Sequence, residues 1–579
     1  MPDSKDRFTG KMFTGLWVPA MISSIGWALS DIADAIVVGQ RLGATGLAAI
    51  SLILPVYMVN CMFAHSLGLG GSVRYSKLLG EGKEREAVAS FNRTIQVSVL
   101  ISLLIAVLGN VFINLLLSVL GTTSVDGMLF SATRAYLRTL ISGTPLFFLS
   151  NILNYYLRND NNQKLASAGS LTGNLCDIAL NILFVLVLDW GTGGAALATL
   201  IGQVIAVAVY LPGIFKKAKT IRIAAVRYDL NETLSCFKAG FATSMGYLLQ
   251  LVFLLLCNNV LARISGETGI AVFDMIQNIS YLLLYLYEGT ARALQPLAST
   301  YHGERYEQGK KSALRFALLY GCTVGSCLIL FVELFPGAFC RLFGIYGTSA
   351  QALGESALKI YAAGAFFAGI SILISNYFQA CEREREASAI VILRGAVVLL
   401  PCTMLFSMFD VQLFWWLFPL TEVVSLLLYL LYLRRRKNTG QELDGAKIYN
   451  RTITGQNDDI TRMTAEIGEF CDRWQANAKQ AYFVTMTVEE ICLAIVKGGF
   501  ENIKEGYIQL TLIAMEDRSF EIHIRDNATS FNPFSLDTAK ADHDGGYDID
   551  AMGMLVIKQK TKEFFYRRYH GFNTLVVKV

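Results

Sequence analysis

Five carboxylates, Asp34, Asp177, Asp274, Glu288 and Glu422, fall inside long runs of otherwise apolar residues. A carboxylate at the middle of a bilayer costs about 2.5–3.5 kcal/mol on insertion scales, so each needs a reason to be there. Ion chemistry is one such reason. Two acids close together in a low dielectric raise one pKa toward neutrality and can carry a proton. The same carboxylates joined by hydroxyl and amide oxygens can hold a hard cation. Asp177 and Asn181 stand four residues apart and share a helix face, placing an acid and an amide together. The competing explanation is a hydrogen-bonded polar staple between helices, which uses the same residue types and carries no ion.

The elements that must position these residues dominate the chain. Of its 579 residues 53% are apolar and 17% charged, whereas a soluble domain carries about 25% charged residues. Mean hydropathy is +0.44. Apolar stretches lie near 12–38, 46–70, 91–118, 130–155, 165–189, 192–214, 235–263, 268–292, 312–340, 353–379, 387–409 and 412–433. Each is about the length that crosses a ~30 Å hydrocarbon core, giving about twelve spans. The first is too long for a removable signal peptide, lacks a small-residue cleavage site, and reads as a permanent anchor. A net charge of +4 gives no case for a nucleic-acid partner. The 11 cysteines include no CxxC pair, which excludes a zinc ribbon or a disulfide framework.

Positive charge gathers on one side. Lys5, Arg7 and Lys11 precede the first span, and Arg74, Lys77, Lys83, Arg85 and Arg93 follow the second. Lys216, Lys217, Lys219, Arg222 and Arg227 follow the sixth, and Arg434–Lys437 close the last. By the positive-inside rule this multi-pass cell-membrane protein has both termini in the cytoplasm. An internal repeat organises the spans. Gly43-Ala-Thr-Gly-Leu-Ala-Ala-Ile50 returns as Gly266-Glu-Thr-Gly-Ile-Ala-Val-Phe273, and Gly80-Glu81 returns as Gly303-Glu304, both 223 residues later. Two such matches at one spacing imply two six-span lobes, 1–222 and 223–437, related by an axis along the membrane normal.

Beyond a polar linker at 438–446, residues 447–579 are charged, amphipathic and the size of one domain. The patterning predicts strand 447–453, helices near 458–475 and 484–500, and a hairpin 507–516/519–525 turning at Asp517-Arg518. Helix 552–559 and strands 564–568 and 573–579 complete an α+β sandwich with helices on one sheet face.

Asp34-Ala-Ile-Val-Val-Gly39 with Leu42-Gly43, Gly194-Ala-Ala-Leu-Ala-Thr199, Phe378-Gln379-Ala380, and Pro419 with Glu422 together resemble motifs of the MATE (multidrug and toxic compound extrusion) transporters. That resemblance implies a polytopic all-α membrane protein of about twelve helices in two lobes, driven by an ion gradient rather than ATP. It also implies that Asp34, Asp177, Asn181 and Thr199 form the first-lobe cluster that carries protons or sodium, with Na+ held at Asp34 and Asp177. The family pair usually reads Asn then Asp; here Asp177 precedes Asn181, moving the acid one turn. In the seventh span Cys257-Asn258-Asn259 stands where some relatives carry an acid, so a second-lobe sodium site is not expected. Asp274, Glu288 and Glu422 are candidates for a cytoplasmic entrance or for binding a cationic substrate.

Val488-Glu489-Glu490 in the second domain helix, Asp526-Asn527-Ala528 through Phe531-Asn532-Pro533, Met552-Gly553-Met554 and Gly571-Phe-Asn573 resemble the histidine-kinase-like ATPases, specifically anti-sigma-factor serine kinases. The resemblance makes Glu490, Asp526, Gly553 and Asn573 the nucleotide-binding positions. Ala494 replaces the Asn that holds magnesium, and Ala528 and Ala551 replace glycines that let backbone approach phosphate. Lys497 and Lys504 are solvated helix-end charges on this reading. The domain is therefore expected to be degenerate as a kinase, retaining ATP or ADP binding or serving as a docking site for a cytoplasmic regulatory protein. The whole implies a secondary antiporter exporting small cationic or amphipathic compounds, with no required cofactor and no enzymatic turnover. Two alternatives are a signalling receptor with a transporter-like sensor, and a flippase for lipid-linked substrates. The flippase requires a strongly cationic cavity, for which the spans offer few Arg or Lys. A pump powered by ATP is excluded by the lack of a G-x-x-x-x-G-K-[ST] loop.

Overall fold

Within a bilayer only a helix satisfies its own backbone N–H and C=O groups, so the apolar stretches fold as helices. A computed structural model describes residues 4–120, 127–215, 221–227, 229–343, 345, 348–435, 447–454, 456–500, 506–529, 532–535, 549–561, 563–569 and 572–579. The linker 438–446, Lys216, Lys217, Lys219, Arg436, Lys437, Lys504, Phe531 and Gly571 lie outside the described residues.

The first half comprises α1 (Ser4–Gly80), α2 (Glu84–Val111), α3 (Ile113–Val119), α4 (Met128–Ser142), α5 (Thr144–Asn159), α6 (Gln163–Asn181) and α7 (Gly191–Phe215). The second comprises α8 (Leu230–Ala239), α9 (Phe241–Ile264), α10 (Gly266–Gly303), α11 (Glu307–Leu334), α12 (Pro336–Leu342), α13 (Thr348–Ala380), α14 (Glu384–Ile392), α15 (Leu400–Phe406), α16 (Val411–Phe414) and α17 (Leu417–Arg435).

Two details depart from the sequence expectation. The first two spans share one unbroken helical run of 77 residues, which would extend ~115 Å if straight. It folds back instead. The Thr9 hydroxyl lies 3.2 Å from the Tyr301 hydroxyl, while at the other end a Cβ on Gly80 would fall 2.6 Å from the Thr300 carbonyl oxygen. The expected span 130–155 is divided at Gly143 into α4 and α5, with Pro145 in the first turn of α5, where its missing N–H costs nothing. Ten helices among the described residues are individually long and apolar enough to cross a membrane. The α4–α5 pair and the 38-residue α10, made less apolar by Asp274, Glu288 and Arg292, complete the twelve crossings.

The repeat is visible in space. Ser72 and Gln295, 223 residues apart, are joined by a 2.9 Å hydrogen bond from Gln295 Nε2 to Ser72 Oγ. Gly80 and Gly303, separated by the same offset, pack backbone to backbone: a Cβ on either would lie 3.1 Å from the other's Cα. Equivalent residues of the two lobes thus meet on the pseudo-twofold axis, at the membrane end nearer the C-terminal domain.

That domain is a five-stranded antiparallel sheet in the order β1-β2-β3-β5-β4. Its strands are β1 (Ile448–Ile453), β2 (Ile508–Ala514), β3 (Phe520–Asp526), β4 (Glu563–Tyr569) and β5 (Phe572–Lys578). Helices α18 (Asn457–Arg473), α19 (Ala478–Gly499) and α20 (Ile549–Lys560) accompany it. Alternate residues Leu510, Leu512, Ile522, Ile524, Leu575 and Val577 form a buried core with Ile467, Val488, Ile491 and Ile557 of the helices. Helix α19 begins earlier than Val484 because Asn477 caps it, its side-chain oxygen accepting from the Gln480 N–H at 2.8 Å.

Candidate functional site

Helices α1 and α6 face each other through two pairs of residues, each pair one turn apart. Asn181 donates from Nδ2 to Asp34 Oδ1 at 2.5 Å. Ser30, one turn before Asp34, donates from Oγ to Asp177 Oδ2 at 3.0 Å. Asp177 is 6% exposed and Asn181 1%. The cluster is held tight by small residues behind it. A Cβ on Gly202 of α7 would lie 2.8 Å from the Gly173 carbonyl oxygen and 3.1 Å from Asp177 Cβ. Thr199 stands on the same helix as Gly202; its hydroxyl donates to its own backbone at Ala195 O, 3.3 Å away, and its side chain also faces the Asp177 carboxyl. Directly after Asn181 the chain passes into a π-helical turn, Ile182–Val187, a distortion that recurs at functional sites.

The chemistry follows from what is left over. Asp177 Oδ1 and Asn181 Oδ1 are buried acceptors without a hydrogen-bond donor among the described residues. Buried acceptors are ordinarily filled. A proton on Asp177 or a small hard cation would fill them, whereas a plain polar staple leaves them short. No group of three or more His, Cys, Asp or Glu suited to holding a metal occurs among the described residues. Ser30 was not singled out in the sequence, although its place four residues before Asp34 puts it on that residue's face.

The second lobe is built differently. Cys257, 223 residues after Asp34, is fully buried in an apolar cluster with Phe253, Leu261, Phe273, Trp415 and Phe418. The three remaining acids are not gathered into one site. The Asp274 side chain is exposed. Glu422 is paired with Arg394, whose guanidinium approaches to 2.6 Å, so its charge is met inside the lobe. Glu288 stands one turn before Arg292 on α10. Sequence reasoning gave Arg158, Arg292 and Arg394 no role. Arg292 lies over the Trp27 ring at 5.6 Å. Arg158, 1% exposed, reaches Ser23 Oγ at 3.4 Å. Ser23 and Trp27 are neighbours on one face of α1, so an arginine from each lobe flanks that face. Nearby His65 meets the Tyr155 hydroxyl at 3.1 Å and stacks on Tyr247 from the other lobe. Only Arg292, four residues after Glu288, carried a hint in its spacing.

In the C-terminal domain Asp526 and Asn573 come together at the ends of paired strands. Asp526 Oδ1 accepts from Asn573 Nδ2 at 2.7 Å and from the Ala528 N–H at 2.8 Å. Asn573 Oδ1 in turn accepts from the Tyr566 hydroxyl at 2.8 Å. Burial pushes the Asp526 carboxyl up to about 6, against the hydrogen bonds from Asn573 and Ala528. Glu490 lies against Gly553, where a Cβ would fall 2.6 Å from Glu490 Oε2, so a larger residue there would displace the Glu490 carboxylate. Ala494, one turn beyond Glu490 on α19, presents a methyl group that ligates nothing.

Comparison with known proteins places both parts. The MatE family profile matches residues 19–183 and 242–405, two stretches that begin 223 residues apart and together cover more than half of the chain. The profile of the histidine kinase-like ATPase domain matches residues 453–579. A multidrug export protein, MepA of Staphylococcus saprophyticus, is 24% identical over 446 residues, covering 74% of this chain and 95% of its own. Among solved structures, an outward-facing multidrug resistance MATE family transporter superposes with a TM-score of 0.69 at 22% identity, over 74% of this chain and 96% of that one. A Pyrococcus furiosus transporter of the MOP superfamily, described as having a binding pocket of reverse polarity, gives 0.69 at 23% identity over the same shares. The chain belongs to the MATE family of membrane transporters and carries a histidine-kinase-like ATPase domain behind its second lobe.

Proposed function

We propose that this transporter is a secondary active antiporter, exporting small organic compounds in exchange for protons or sodium. Its C-terminal domain, on the cytoplasmic side with both termini, regulates the cycle rather than powering it. The observation that carries the coupling is the first-lobe cluster: the buried Asp177 and the half-buried Asp34, held by Ser30 and Asn181, with acceptor oxygens left over. Proton or cation binding there neutralises charge at mid-membrane, and release on the other side restores it, which couples ion movement to the conformation of the lobe. The apolar surroundings of Cys257 support a single coupling site. The name of the staphylococcal relative supports organic compounds as cargo, and a cationic or amphipathic cargo suits exchange for a cation. Ala494 and Ala528 at the magnesium and phosphate positions support a regulatory domain that does not transfer phosphate.

The test is efflux of an organic cation from proteoliposomes under a pH gradient or a sodium gradient, imposed separately. Asp34→Asn should abolish gradient-driven efflux while leaving the melting temperature within a few degrees of the parent. Unchanged transport by that variant would refute the assignment. Arg158 and Arg292 beside Trp27 favour one second reading, a flippase whose substrate carries phosphate. Translocation blocked by pyrophosphate and indifferent to organic cations would select it.

A further inference from the structure

The β-sheet of the C-terminal domain has two faces, and its helices cover only one. On the other, β2 presents Gln509 and Thr511, β3 presents His523 and Arg525, β4 presents Phe565 and Arg567, and β5 presents Thr574 and Val576. A polar strand face of this kind ordinarily faces water. Here Gln509, Thr511, His523, Arg525 and Thr574 are all buried, because the membrane unit covers them.

Both lobes take part. From the second lobe, Glu304 forms an ion pair with Arg525, both side chains buried. Tyr306 accepts at its hydroxyl from Gln509 Nε2 at 2.8 Å. Arg525 also lies over the Tyr301 ring at 4.7 Å. From the first lobe, Asp160 and the Asn159 carbonyl accept from Arg567 Nη2 at 3.4 and 3.2 Å. Asn161 donates from Nδ2 to the Arg568 carbonyl at 3.2 Å. Gly82, in the left-handed region at φ +77°, brings its loop so close that a Cβ would lie 3.4 Å from Phe565 Cβ. Apolar contact continues the seam, with Tyr507 and Phe572 joining Met12, Phe13 and Tyr301.

We propose that the outer face of this sheet is an intramolecular clasp: it binds the domain-side loops of both lobes at once, and so holds that end of the transporter closed. The proposal rests on the regulatory reading of the domain above and names its partner, the transport unit of the same chain. The physical reason is geometric. Alternating access separates the lobes at one membrane end and then the other. A sheet joined by its own ladder of hydrogen bonds moves as one piece, so it stays bonded to both loop sets only while Gly80 and Gly303 are in contact. Opening this end breaks the Arg525–Glu304 side or the Arg567–Asp160 side. The domain therefore favours the closed arrangement by whatever those contacts contribute, and a ligand that lifts it frees the return half of the cycle.

The clasp is tested in the full-length protein with two readouts that need no transport. In a Gly82→Cys/Phe565→Cys double variant the 3.4 Å Cβ separation lies at the short edge of disulfide geometry, and oxidation should join the residues in the variant that retains the parent's melting temperature. Failure to join overturns the docking. Separately, Ser72→Cys, buried between the lobes, reports opening through its rate of reaction with a water-soluble maleimide in excess of the labelling of the parent's eleven native cysteines. Adding Arg525→Glu should raise that rate about tenfold or more, because it leaves a charge buried opposite a like charge. Adding Glu304→Arg to it should restore the slow rate. Arg567→Ala, on the other lobe's contact, should raise the rate as well. Rates unchanged in Arg525→Glu and Arg567→Ala would overturn the clasp, while efflux and its loss in Asp34→Asn report on the antiport reading independently.

Discussion

The contact between Gly303 and Gly80 makes a quantitative demand on the closed end of the transporter. A Cβ added at Gly303 would lie 2.4 Å from the Lys77 carbonyl oxygen and 3.1 Å from the Gly80 Cα. An ordinary carbon–oxygen contact is about 3.3 Å, so Gly303→Ala must move α1 and α10 apart there by roughly 0.9 Å. Both obstacles are backbone, and no side chain can swing aside. Overpacking of this size costs about 1–3 kcal/mol. Because that cost exists only while the helix ends touch, it lowers the ratio of closed to open forms by roughly 5–150-fold. Maleimide labelling of Ser72→Cys reads the ratio directly, since Ser72 is buried under the Gln295 hydrogen bond in the closed form. Gly15→Ala is the control, because nothing lies within 4 Å of the position its Cβ would take. Gly80→Ala, whose Cβ would meet the Thr300 carbonyl oxygen at 2.6 Å, should give a smaller acceleration than Gly303→Ala. Labelling of Gly303→Ala at the rate of Gly15→Ala would refute the idea that this contact gates the domain-side end. A lowered melting temperature with unchanged labelling would do the same.

Two further outcomes follow from buried charges. The Asp526 carboxyl titrates near 6 in the folded domain and near the ordinary Asp value when unfolded, so the folded form binds more protons between those limits. Stability of the domain should therefore fall by roughly 2 kcal/mol as pH rises from about 4 to about 6, out of roughly 3 kcal/mol over the whole titration; pulse proteolysis in urea across that range should show a slope that Asp526→Asn flattens. Arg394→Ala leaves Glu422, 12% exposed, without its cation and should cost up to about 3 kcal/mol, the low end for a fully buried pair, whereas Arg394→Met with Glu422→Leu should be nearly neutral by thermal unfolding.

The spans could be read from hydropathy because lipid offers the backbone no alternative to the helix. What escaped were features that hydropathy does not encode. The break at Gly143 lies in an apolar stretch, and nothing around Thr9 or Gly80 announces that the two ends of α1 meet the same turn of α10. The domain's strands were legible from their period of two, since Leu510, Leu512, Ile522 and Ile524 mark one face. That same period concealed the docking surface. Gln509, Thr511, His523 and Arg525 alternate with apolar residues as any water-facing strand residues would, and their burial depends on a partner hundreds of residues away. At the candidate coupling site the acids were evident as charges in apolar text. Ser30 was not, because serine is common in membrane helices and gains meaning only from the 3.0 Å bond to Asp177.

The two halves of the repeat have diverged where physics requires it. A single domain seated across a twofold axis meets both copies of the loop after the second span, and it has only one set of contacts to offer. The copies must therefore differ. In the first lobe Glu81 is met by Lys83 of its own loop at 2.8 Å. In the second, the residue 223 positions after Lys83 is Tyr306, which leaves Glu304 to Arg525 and presents its own hydroxyl to Gln509. The Lys83/Tyr306 difference between the copies thus goes with the pairing of the domain's buried arginine to the second lobe. The same division holds at mid-membrane, where Asp34 faces α6 in one lobe and Cys257 lies in an aromatic core in the other.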